Sequence, residues 1–181
     1  SLKDRATRLE TFVSAGFNVV APAYRGSSGS SGSPDEDALI SDARALIEEI
    51  PAPVIVYGES LGAAVAIQLA ADGLGDAVVL EAPFTSLAAL VAAQYPMEEL
   101  GETLTQRWDS MAHVGAIEQP LLIIHGEDDR LVPFTMGQTI FNAVGSSDKT
   151  FLGVAGSGHT ELWTDAVVSD LFAFLARDFL E

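Results

Sequence analysis

Val54-Ile55-Val56-Tyr57-Gly58-Glu59-Ser60-Leu61-Gly62 runs directly into Ala63-Ala64-Val65-Ala66-Ile67. The first four residues are β-branched or aromatic and are bounded by Pro53 and Gly58, which reads as a short buried strand. The segment from Ser60 to Leu74 is rich in alanine, the strongest helix former. Between them, Gly58-Glu59-Ser60-Leu61-Gly62 fits the pattern G-x-S-x-G, a sharp strand-to-helix turn that lifts a strained serine above a sheet. Glycines at 58 and 62 let the neighbouring chain come close. The helix N-terminus carries partial positive charge, which favours an oxyanion developing beside Ser60. Ser60 is therefore read as a nucleophile, and the strand–turn–helix unit as part of a parallel α/β sheet.

Outward from this unit the same rhythm repeats. Leu9, Phe12 and Val13 mark a first amphipathic helix ending near Gly16, and Phe17 to Ala23 reads as a buried strand. A Gly/Ser loop spans Arg25 to Ser33. Ser33-Pro34-Asp35-Glu36 then predicts a helix start, with Ser33 as cap and Glu36 closing a capping box. That helix runs to about Ile50, before Pro51 and Pro53. Strands are expected at Ala77–Leu80, Leu121–Ile124 and near Thr150–Val154, with a helix after Pro133. The closing helix shows an apolar stripe of Val168, Leu171, Phe172, Leu175 and Phe179. The chain of 181 residues reads as one domain, residues 1–181. Residues 84–119 break the rhythm and are expected to form a small cap over the site. Tyr95, Trp108 and Met111 there suit either an acyl pocket or core packing.

A serine hydroxyl needs a base, and the chain has three histidines. His113 lies in the cap segment with no strand to bring it near Ser60. His125 ends a strand, where packing or a local hydrogen bond is its expected role. His159, in Gly156-Ser157-Gly158-His159, sits in a loop after the last strand, at the sheet edge where the base belongs. The base in turn needs a carboxylate to hold its tautomer. Asp128 and Asp129 both follow Leu121–Ile124 at such an edge, and spacing alone leaves them nearly equal. Arg25 is expected to pair with a nearby acid rather than bind substrate, and Glu59 to tune packing.

Composition narrows the alternatives. Aspartate and glutamate number 26 against 9 lysines and arginines, a formal net charge of −17. Such a surface repels phosphate backbones and excludes nucleic acid as a natural partner. Without cysteine there is no disulfide framework, thiolate nucleophile or Cys-type zinc site. No signal peptide is read, and no apolar run reaches the eighteen or so residues of a membrane span.

The serine, aspartate, histidine order and several local motifs together resemble the α/β-hydrolase superfamily. Gly126-Glu127-Asp128-Asp129-Arg130-Leu131-Val132-Pro133 is similar to its acid loop, in which the acid aligns with Asp129. The likeness continues through Tyr24-Arg25-Gly26, the elbow, Glu81-Ala82-Pro83-Phe84-Thr85-Ser86, Arg107-Trp108-Asp109-Ser110 and the His159 loop. It is nearest the small-cap branch that contains protein depalmitoylases and bacterial esterases. The resemblance implies an α/β-hydrolase fold, a mostly parallel sheet flanked by helices. It also implies one oxyanion donor at the Leu61 amide and a second on a His-Gly loop before the first helix. The sequence starts where that loop should just have ended, so the strands before it are expected to belong to a longer parent chain.

The expected function is cleavage of a small-molecule carboxylic ester or thioester through an acyl-serine intermediate, with Ser60, Asp129 and His159 catalytic. No metal or organic cofactor is called for. The rival readings are an oligopeptidase or acyltransferase with the same triad, and a non-catalytic binding module on the same fold.

Overall fold

The computed structural model describes residues 5–51, 53–95 and 104–179. Among these residues four strands form one parallel sheet in chain order: β1 (Ile55–Glu59), β2 (Ala77–Glu81), β3 (Leu121–Gly126) and β4 (Lys149–Val154). Among the described residues the helices are α1 (Ala6–Ser14), α2 (Glu36–Glu48), α3 (Leu61–Ala71), α4 (Leu87–Gln94), α5 (Phe134–Ala143) and α6 (Asp165–Phe179). Two short 3-10 turns, Ser110–Ala112 and Val114–Ala116, lead into β3.

Side chains alternate across each strand, and here both faces are covered. Val78, Leu80, Leu121 and Ile123 pack with α2, α3 and α5 on one side. Ala77, Val79, Leu122 and Ile124 pack with α6 on the other, where Phe12 of α1 also docks. That double burial explains why β2 and β3 carry unbroken apolar runs, Ala77–Leu80 and Leu121–Ile124, rather than alternating patterns. Each fully buried leucine or isoleucine stabilises the fold by about 1.5–3 kcal/mol. Among the described residues no helix is long and apolar enough to cross a membrane.

Three local expectations need correction. Phe17 to Ala23 is not a buried strand: it joins no ladder, and Val20 is 54% exposed. No described strand lies beside it to satisfy its backbone groups, and strand propensity alone does not make a strand. The cap of α2 is Asp35, whose carboxylate accepts the Ala38 N–H at 2.9 Å, not Ser33. Glu36 closes no capping box. It reaches instead across the molecule to accept the N–H groups of Arg107 and Trp108 at 2.7 and 2.9 Å.

The stripe of α6 is rotated from the expected one. Val167, Leu171, Phe174 and Leu175 are buried, while Val168 and Phe172 lie at its margin; the side chain of Phe179 falls outside the described residues. In α1, Phe12 packs edge-on to Tyr57 and Trp163, whereas Val13 is 58% exposed. Trp108 is buried in the core with Val114 and Ile117, and Tyr95 and Met111 are exposed.

Candidate active site

In a parallel sheet the C-terminal ends of all strands meet one edge, and loops there collect chemistry. The register aligns Glu59 with Glu81 and Gly126 with Val154, so the segments after β1, β3 and β4 emerge at that edge together. Ser60 follows β1, Asp129 follows β3 and His159 follows β4.

Ser60 caps α3 with φ 54° and ψ −115°, a left-handed conformation that a non-glycine residue rarely holds. Its N–H donates to the Glu81 carbonyl at 2.9 Å, fixing the turn to β2. The steric demand of the elbow falls mainly on one glycine. A Cβ at Gly58 would stand 2.2 Å from the Gly62 carbonyl oxygen and 2.7 Å from Ala63 Cα, whereas one at Gly62 would meet only the Tyr24 hydroxyl at 3.4 Å. Leu61 opens α3 and is exposed, and the first N–H groups of a helix have no intrahelical acceptor.

The two aspartates that spacing left open are separated by geometry. Asp128 is exposed, while the Asp129 side chain is fully buried. Asp129 Oδ1 accepts the N–H groups of Leu131 and Val132 at 2.9 and 2.8 Å. Its Oδ2 lies 2.7 Å from His159 Nδ1. The loops carrying Asp129 and His159 are laced together by backbone bonds, from Glu127 N–H to the Val154 carbonyl and from Asp128 N–H to that of Ser157. A Cβ at Gly126 would fall 2.3 Å from the Gly158 carbonyl oxygen. Only glycine lets the loops approach this closely.

His125 is wholly buried, with Nε2 3.0 Å from the Val132 carbonyl oxygen and 3.5 Å from Asp129 Oδ2. Burial pushes its pKa down, against the smaller upward pull of Val132 and Asp129. His113 joins the two 3-10 turns. Arg25 pairs with Asp42 through two short bonds, as an anchored loop residue would.

A further group was not singled out by sequence reasoning. Glu81 is fully buried at the end of β2, where it accepts from Tyr57 Oη, Trp163 Nε1 and Arg8 Nη1. Glu59, beside Ser60, pairs with Arg5 and Arg8. Burial raises the Glu59 pKa, with Glu81 adding to the rise, and Arg5, Arg8 and His159 pull it back. The only local sign was an acidic residue ending each of two apolar strands, and their partners lie 24 to 82 residues away in the chain. Among the described residues no cluster of histidine and carboxylate side chains is arranged to hold a metal ion.

Comparison with known proteins agrees with the fold. Residues 4–113 match the model of the alpha/beta hydrolase family. An uncharacterised protein of Mycobacterium tuberculosis is 37% identical over 168 residues, covering 87% of this chain and 59% of that protein. Protein bem46 of Schizosaccharomyces pombe is 31% identical, covering 91% and 58%. The lysophosphatidylserine lipase ABHD12 of Danio rerio is 33% identical, covering 79% and 44%. The chain thus spans roughly half the length of these relatives. Among solved structures, an esterase of Pyrococcus furiosus superposes with a TM-score of 0.77 at 20% identity, covering 95% of this chain and 74% of that one. A monoacylglycerol lipase of Paleococcus ferrophilus superposes at 0.71 and 16%, covering 96% and 89%. With its parallel sheet, its elbow after β1 and more than half its length matched by the family model, the chain belongs to the alpha/beta hydrolase family.

Proposed function

We propose that the chain carries the catalytic centre of a serine hydrolase that cleaves carboxylic esters or thioesters through an acyl-serine intermediate. Ser60 is the nucleophile, His159 the general base, Asp129 its orienting acid and the Leu61 amide an oxyanion donor. The reading rests above all on the 2.7 Å contact between Asp129 and His159, at the sheet edge that also carries the strained Ser60.

With Nδ1–H held by Asp129, the imidazole presents Nε2 as a lone pair. Nε2 takes the Ser60 proton as Oγ attacks the carbonyl carbon, and the oxyanion forms near the Leu61 N–H. The tetrahedral adduct then expels the alcohol or thiol, which leaves with the proton from His159. Water, deprotonated by the same nitrogen, attacks the acyl-serine and releases the acid. Ester and lipase names among the relatives and structural neighbours support an ester or thioester over an amide. A monoacyl lipid ester is the narrower candidate, since Leu61 and Leu131 expose apolar surface next to the nucleophile and the acid.

The test is labelling by a fluorophosphonate probe, run beside Ser60→Ala. The expected result is labelling of the parent chain that disappears in the variant. Equal labelling of both forms, or none of either, overturns the reading.

A further inference from the structure

Arg8 joins three segments of the active-site edge that lie far apart in the chain. Its Nη1 donates to Glu81 Oε2 at 2.7 Å and to Glu59 Oε2 at 3.2 Å. Its Nη2 donates to the Thr160 carbonyl oxygen at 3.3 Å. Glu59 immediately precedes Ser60, and Thr160 immediately follows His159. The guanidinium also lies over the Trp163 ring, 4.9 Å from its centroid, so a plane of aromatic surface fixes its orientation.

We propose that Arg8 is a positioning residue of the Ser60–His159 centre, tying the nucleophile strand to the base loop and neutralising the paired carboxylates Glu59 and Glu81. The proposal rests on the hydrolase reading above.

Two consequences separate this role from simple packing. The first is geometric. Arg8 makes the side-chain link from α1 to both the elbow and the base loop, and misplacing a base by about an ångström is enough to slow the chemistry. Its loss therefore lowers turnover more than substrate binding.

The second is electrostatic. Glu59 and Glu81 are register neighbours on adjacent strands, where like charges repel. Around them stand Arg5 at the N-cap of α1, Arg8 within α1, the Tyr57 hydroxyl from β1 and the His159 imidazole from the loop after β4, with Asp129 and, behind it, His125 on the far side of His159. Two carboxylates meet two guanidinium groups, so the cluster is balanced. Removing the Arg8 charge leaves a net negative charge facing His159, and that charge favours the imidazolium. The base then protonates at higher pH.

The experiment follows the three histidines by NMR titration in the full chain, alongside kcat and KM for a short activated ester. In Arg8→Met the His159 midpoint is expected to rise by about half to one pH unit. His113 serves as the unmoved reference. Turnover should fall roughly tenfold with KM within about twofold. Arg8→Lys keeps the charge and restores the midpoint, while only part of kcat returns because a single ammonium nitrogen cannot span acceptors that the guanidinium reaches through two separate nitrogens.

Glu59→Gln carries the same test with opposite sign should Arg8→Met fail to fold. It leaves both arginines in place, and the His159 midpoint should fall. An unmoved midpoint in the charge-changing variants, or Arg8→Lys behaving like Arg8→Met, overturns the proposal. The titration reads the coupling whether or not the ester turns over. Absence of Ser60-dependent turnover in the parent chain would therefore sink the hydrolase reading by a separate measurement.

Discussion

The carboxylate of Asp129 holds His159 with one oxygen, at 2.7 Å from Nδ1, and is itself held by two backbone N–H groups on the other. Each oxygen has a separate duty. Oδ1 anchors the acid to the turn between β3 and α5, and Oδ2 fixes which imidazole nitrogen carries the proton. The carboxylate is buried, and the one further polar neighbour named above, His125 Nε2, stands 3.5 Å from Oδ2.

Asp129→Asn tests that division. The amide oxygen can still accept from Leu131 and Val132, which turns the NH2 group towards His159 Nδ1. Nδ1 must then accept, the proton moves to Nε2, and Nε2 can no longer take the serine proton. Turnover should drop on the order of 10³–10⁴-fold with the fold intact. Steady-state kinetics with a thermal melt check it, and a loss under tenfold would remove Asp129 from the proposed triad.

The elbow yields a paired prediction. Gly58→Ala forces a Cβ against backbone atoms of Gly62 and Ala63, whereas Gly62→Ala meets only the end of the Tyr24 side chain. Gly58→Ala should lose about 1–3 kcal/mol or more, the usual cost of overpacking, and Gly62→Ala under about 1 kcal/mol. Urea unfolding of both variants decides it. Equal losses would mean that the turn tolerates expansion at position 58.

Gly126→Ala should uncouple Asp129 from His159. Its Cβ would press on the Ser157 and Gly158 carbonyl groups at 2.4 and 2.3 Å, so the loop carrying His159 must move. Activity is expected to fall at least tenfold, by more than the melting temperature would suggest. A variant of full activity would show that the loops can part without harm.

What could be read from the sequence follows the range of the interactions involved. The elbow, β2, β3, β4 and α3 were legible because apolar runs and turn residues are contiguous. His159 was the candidate base reached from sequence because the chain offers three histidines and one strand-edge loop, and the structure sets it beside Asp129. Asp129 over Asp128 needed either family alignment or the burial that separates the two side chains. The run Phe17 to Ala23 has strand composition but no described neighbour to pair with, and a single segment cannot signal that. Glu81, Arg8 and Trp163 were missed because their cluster unites positions with no local spacing rule. The cap of α2 slipped by two residues because serine and aspartate are near-equal caps.

His125 supplies a prediction about stability rather than rate. Burial depresses its folded-state pKa below the ordinary imidazole value of about 6.5. The unfolded chain therefore binds this proton first, and the stabilisation is present above about pH 6.5 and is lost as pH falls from there towards the folded value. At most the slope is about 1.4 kcal/mol per pH unit for one proton. Glu59 has the opposite sign: its folded pKa is raised, so it adds stability as pH falls towards the carboxylate range. Comparing the parent with His125→Gln removes that term, because Glu59 is common to both. The glutamine can still donate to the Val132 carbonyl, and the variant should show a flatter stability curve between pH 7 and 5. Urea unfolding at half-unit steps measures it, and two parallel curves would show that His125 titrates alike in the folded and unfolded chain.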